Sequence, residues 1–69
     1  MNTYKIAIIH EDGRKFFMED GDGRDDIFES MIIASKTIEY YFGKYDIKEQ
    51  SMAIVPSSTK LEDMQGAAL

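Results

Sequence analysis

The sequence predicts an α+β fold: a small three-stranded antiparallel sheet with one long amphipathic helix across one face, in the order β-β-α-β. Three observations carry this. Two short β-branched and aromatic runs flank an Asp-Gly pair, a long segment then switches to helical periodicity, and a third apolar run ends at Pro56. Residues 1–56 form one domain in this reading, and residues 57–69 a C-terminal tail or short helix.

The first run, "YKIAIIH" (Tyr4–His10), alternates Tyr4, Ile6, Ile8 and His10 against Lys5, Ala7 and Ile9, the period of a strand. The second, "RKFFME", follows "EDG", so Asp12-Gly13 marks a hairpin. Loop length decides which side chains share a face. A two-residue turn sets Ile8 opposite Phe17, whereas a three-residue Glu11-Asp12-Gly13 loop with Gly13 left-handed sets Ile8 opposite Phe16 and Ile6 opposite Met18. The longer loop is preferred because it gathers Ile6, Ile8, Phe16 and Met18 into one core face.

From Asp26 the period changes. Ile27, Met31, Ala34, Ile38, Tyr41 and Tyr45 recur in steps of three and four, which predicts a helix of roughly five turns over residues 27–45. Asp26 with Glu29 three positions later reads as a capping box at its start, and the acids nearby suit the positive end of the helix dipole. "SMAIVP" is the third strand, stopped by Pro56. Thr59 and Glu62 suggest a second cap, for a short helix ending near Gly66. A right-handed crossover from the second strand to the third gives the sheet order 2-1-3.

That arrangement leaves one sheet face without a helix. Lys5 and Lys15 are expected to reach water there, while Ala7, Ile9 and Phe17 form an apolar strip that either the tail or another chain must cover. A second copy lying on this open face would make a homodimer. Phe28 and Ile32, at the edge of the helix stripe, are expected to meet the tail through Leu61 and Met64.

Composition narrows the function classes. With 69 residues there is room for one core, and with no cysteine there are no disulfides or thiolate metal sites. The N-terminus lacks the pattern of a signal peptide, and no apolar run approaches the roughly 18 residues of a membrane span, so a soluble, cytoplasmic protein is expected. The net charge of −5 is unevenly spread. Glu19, Asp20, Asp22, Asp25, Asp26 and Glu29 crowd one segment against Arg24 alone, while the rest of the chain balances its acids and bases. Such a chain repels phosphate backbones, which argues against direct nucleic-acid binding.

The acidic segment fails as a helix-loop-helix calcium loop. Counting from Asp20, position five is Arg24, position six is Asp25 instead of glycine, and position twelve is Met31 instead of glutamate. No metal or other cofactor is expected. The plain structural alternative is a glycine-rich turn leading into a capped helix; the functional one is a docking surface for a basic partner, and the two are compatible. His10 is the sole histidine, with no serine at a nucleophile-elbow spacing, and the glycines form no phosphate-binding loop, so no catalytic residue is assigned. Ile33 and Tyr40, seven residues apart, project away from the core stripe among Glu29, Lys36 and Lys44, in the manner of apolar anchors ringed by polar groups.

Two functions from different classes follow. The first is a small acidic, non-catalytic protein-binding module, an inhibitor or adaptor of the kind that phages and mobile elements make. It docks Glu19, Asp20, Asp22, Asp25, Asp26 and Glu29 on a basic surface of another protein, with Ile33 and Tyr40 as anchors. The second is a self-associating structural or regulatory module. The hairpin, the acidic turn and the helical stretch "ASKTIEYYF" (Ala34–Phe42) resemble, across Tyr4 to Phe42, small antitoxin domains of the HicB type. That resemblance implies a trimmed ribonuclease H fold and oligomerisation. The segment between second strand and helix is shorter here than is usual for those domains, and no functional residue carries over.

Overall fold

The computed structural model describes residues 2–45 and 50–64. Three strands, β1 (Tyr4–His10), β2 (Lys15–Phe17) and β3 (Gln50–Pro56), form an antiparallel sheet of order β2-β1-β3, with one helix, α1 (Met31–Lys44), and a 3₁₀ turn at Leu61–Met64. This is the α+β arrangement the sequence predicts.

The hairpin register follows from its loop. His10 N–H donates to Arg14 C=O at 2.8 Å, which closes a loop of Glu11, Asp12 and Gly13, and Gly13 adopts φ +94°. Ile8 therefore faces Phe16, and Met18 N–H donates to Ile6 C=O. A straight continuation would next pair Tyr4 with Asp20. Instead the chain leaves the sheet at Glu19, bridges back at Asp25, and gives the place opposite Tyr4 to Phe28. Tyr4 and Phe28 exchange both main-chain bonds, at 2.8 and 2.7 Å.

That exchange corrects the predicted helix start. Bonded in this way, Phe28 is held in an extended pairing that a helical residue cannot keep, so α1 begins at Met31, four residues after the predicted start, and runs for 14 residues. Its cap is Ser30, whose hydroxyl accepts from Ile32 N–H at 3.1 Å. Asp26 and Glu29 do not form the capping box. At the other end Tyr45 is extended and its N–H still reaches Tyr41 C=O, so the helix stops one residue before the predicted boundary.

The main core lies between α1 and the sheet. Ile6, Ile8, Met18, Phe28 and Ala34 are buried there, flanked by Tyr4, Ile38, Tyr41, Met52 and Ile54. Of the predicted helix stripe, Ala34, Ile38 and Tyr41 pack inward, while Ile27 lies before the helix and Met31 and Tyr45 are largely exposed. The sheet's other face is closed by the chain itself: Met64 packs on Ala7 and Phe17, with Ile9 and Val55 beside them. Lys15 Nζ donates to Met64 C=O at 2.6 Å and fixes the turn in place.

Three further expectations change. Lys5 does not reach water but is 5% exposed, beneath Phe17 and Asp25. Phe28 belongs to the helix-side core and Ile32 is 69% exposed, because the tail crosses the opposite sheet face and meets neither. The last turn is capped from within, by Lys60 N–H donating to the Asp63 carboxylate at 3.0 Å, and not by a Thr59–Glu62 box. Gly66 lies outside the described residues.

Candidate functional site

The acidic segment is a closed, internally bonded loop. Asp20 organises it: its Oδ1 accepts from Asp22 N–H at 2.8 Å and Arg24 N–H at 3.1 Å, while its own N–H donates to Arg24 C=O at 2.7 Å. Gly23 takes φ +81°, a left-handed position that glycine fills without strain. This is an Asx-type turn, and it explains why Asp20 and Gly23 occur together here.

The six acids divide by what they touch. Asp20 is engaged within the loop, and Asp25 pairs with Lys5 Nζ at 3.2 Å. Glu19, Asp22 and Glu29 stand in solvent, and Asp26 is half-buried, its N–H donating to Met18 C=O. Among the described residues no group of three or more histidine or acidic side chains could hold a metal ion.

The two apolar residues that the sequence singles out on the helix are exposed: Ile33 at 54% and Tyr40 at 55%. Tyr40 sits edge-on to Tyr41 with ring centres 5.6 Å apart, and its hydroxyl accepts from Lys44 Nζ at 2.8 Å. That hydrogen bond, aided by the charge of nearby Tyr45, raises the Lys44 pKa above its ordinary value. The stacked Tyr41 and Tyr45 rings continue the aromatic surface.

The flank of the helix on which these anchors sit follows from its pitch. Met31, Ile32, Ser35, Lys36 and Glu39 line, with Ile54 of β3, an open cleft of about 410 Å³. At about 100° per residue, Ile33 and Tyr40 fall on the other side of the Ala34–Ile38–Tyr41 core stripe from Ser35 and Glu39. They therefore look toward the β2 side of the sheet, from which the acidic loop springs. The helix packs on β1 and β3, so Phe16 of β2 is left 39% exposed on the same face. Sequence reasoning missed Phe16 as part of this surface, because alternation assigned it to the core and nothing local reveals that the helix stops short of β2.

His10, half-buried at the end of β1, has its ring 5.2 Å from that of Phe16. The shallow recess of about 190 Å³ beside it is lined by Glu11, Asp12 and Arg14, with no hydroxyl or thiol to serve as nucleophile. Asp12 is committed to Arg14: the Arg14 N–H, at 3.0 Å, is the main reason its pKa is lowered, and the guanidinium at 2.7 Å adds to it.

Fold and site together define a small α+β protein with a fixed acidic loop and an aromatic, apolar flank. Comparison of the chain with family models, with curated proteins and with solved structures finds no match in any of the three. Among the described residues no helix is long and apolar enough to cross a membrane.

Proposed function

We propose that this chain is a non-catalytic protein-binding module, of the inhibitor or adaptor kind, that docks its acidic loop on a basic surface of a larger protein. The observation that carries the reading is the division of labour within the loop. Asp20 and Asp25 hold it in shape, and Glu19, Asp22 and Glu29 are left in water with no ion-pair partner among the described residues. A preformed charged loop loses little freedom on binding, and like charges held close together are relieved by a cationic surface. Ile33, Tyr40 and Phe16, on the neighbouring flank, supply apolar contact once the charges have met. Steering of this type acts on the association rate.

The test is to identify a partner by capture from the native cell and measure its association rate against salt. The rate should fall steeply between low and high salt, and Glu19→Gln, Asp22→Asn and Glu29→Gln together should flatten that dependence while leaving the melting temperature unchanged. An association rate indifferent to salt removes the electrostatic half of the proposal, and Tyr40→Ala binding like the parent removes the apolar half. The self-associating alternative is favoured by a different part of the molecule, the outer edge of β3.

A further inference from the structure

The two edges of the sheet are unlike. On the β2 side the edge strand has three residues and carries Lys15, and the returning segment at Phe28 covers the end of β1. On the β3 side the strand is seven residues long, and from Gln50 to Val55 it has neither a charge nor a proline. Strand edges in monomeric proteins are blunted by such devices, and among the described residues β3 has none before Pro56.

Register tells which groups are free. Ser57 N–H donates to Thr3 C=O, and the odd positions of β1 face β3, so Ser51, Ala53 and Val55 carry the bonds to β1. Met52 and Ile54 then turn their N–H and C=O groups outward, and among the described residues those groups have no partner. Above this edge lies the cleft of about 410 Å³ between α1 and β3, where Met31 and Ile32 are 52% and 69% exposed. Lys36 and Glu39, opposite in sign and three residues apart, line the same cleft.

We propose that this edge pairs with the β3 edge of a second copy of the chain, in an isologous dimer with one continuous sheet. Antiparallel pairing centred on Ala53 sets Met52 of one copy against Ile54 of the other, and both residues present their free main-chain groups, so each exchanges two hydrogen bonds. The same two-fold axis brings the two helices side by side over the joined sheet. Ile32 and Met31 of each copy are covered, and Lys36 of each meets Glu39 of the other. Charge complementarity selects a second copy over an unrelated strand, because a cation and an anion on one helix flank are satisfied twice when that flank meets its own image. The acidic loop belongs to the opposite edge, so two copies join without bringing their excess charge together.

The experiment is molar mass by sedimentation equilibrium across micromolar concentrations. The full chain should approach twice its 7.9 kDa. Ile32→Lys, at a position too exposed to touch the monomer's core, should return it to single mass with an unchanged circular dichroism spectrum. Lys36→Glu and Glu39→Lys should each weaken self-association by roughly tenfold or more, and an equimolar mixture of the two variants should form a mixed dimer. A chain that keeps single mass to several hundred micromolar overturns the proposal. So does a dimer indifferent to Ile32→Lys, or a pair of charge variants that fail to complement each other. Neutralising Glu19, Asp22 and Glu29 should leave the mass unchanged, which separates this result from the docking function.

Discussion

Lys5 Nζ lies 3.2 Å from the carboxylate of Asp25 and 3.7 Å from the centre of the Phe17 ring. The ammonium is thus held between the acidic loop and the underside of the sheet, with 7% of its side chain exposed against 44% for Asp25. This side-chain bond ties the loop to the central strand.

Because the lysine is the buried member, removing its partner costs more than removing the lysine itself. Asp25→Ala should lower stability by about 1–3 kcal/mol, between the values for surface and fully buried pairs. Lys5→Met keeps the aliphatic packing and abolishes the charge, so it should be close to neutral. Urea denaturation of the two variants checks this. Equal losses would mean that the ion pair is screened in solution and that only the side-chain volume matters.

Asp20 acts through one acceptor oxygen, which an amide also has. Asp20→Asn should keep the loop, whereas Asp20→Ala should lose about 1 kcal/mol, as when a helix N-cap acceptor is deleted. Amide hydrogen exchange at Asp22 and Arg24 reports directly on the two bonds. Equally fast exchange in both variants would show that the negative charge, not the oxygen's position, closes the turn.

Gly13 has open space around its α-carbon, so a side chain there meets no neighbour and only the backbone conformation is at stake. Gly13→Ala should cost about 1–2 kcal/mol for the left-handed strain. D-alanine introduced by chemical synthesis should be neutral or slightly stabilising, since it prefers positive φ. A matching loss for both enantiomers would contradict the three-residue loop.

Asp12 sets a pH dependence of known sign. Its folded pKa lies below its unfolded value, so its contribution is present at neutral pH and is lost as pH falls below about 4 through the folded value. The group stands in water, which keeps the effect small and salt-sensitive. Asp12→Asn should make the acid limb of a stability–pH curve shallower. An unchanged limb would mean that Arg14 does not hold the carboxylate in solution.

Much of this fold is written in local chemistry. The hairpin register was legible because only one loop length puts Ile6, Ile8, Phe16 and Met18 on a common face, and Gly13 supplies the backbone that loop needs. The sheet order followed from the handedness of the crossover. The helix start was not legible, because Ile27 and Phe28 satisfy the helical period as well as they satisfy an extended pairing, and the choice is made by Tyr4, more than twenty positions away. Lys5 was misplaced for a related reason: alternation puts it on the second face, but nothing nearby says that Asp25 will follow it there. At the candidate site the clustered charge and the exposure of Ile33 and Tyr40 were readable from sequence. The split between structural and solvent-facing carboxylates required the loop's hydrogen bonds.

The turn at Leu61–Met64, which seals the underside of the sheet, has a consequence for how the protein is made. The β1–β2 hairpin emerges from the ribosome first, yet Ala7 and Phe17 gain their cover only when Met64 has left the exit tunnel. Until then a nascent chain presents a bare apolar strip, the surface on which chaperones act and misassembly begins. Full burial of Ala7 and Phe17 therefore waits on synthesis of Met64.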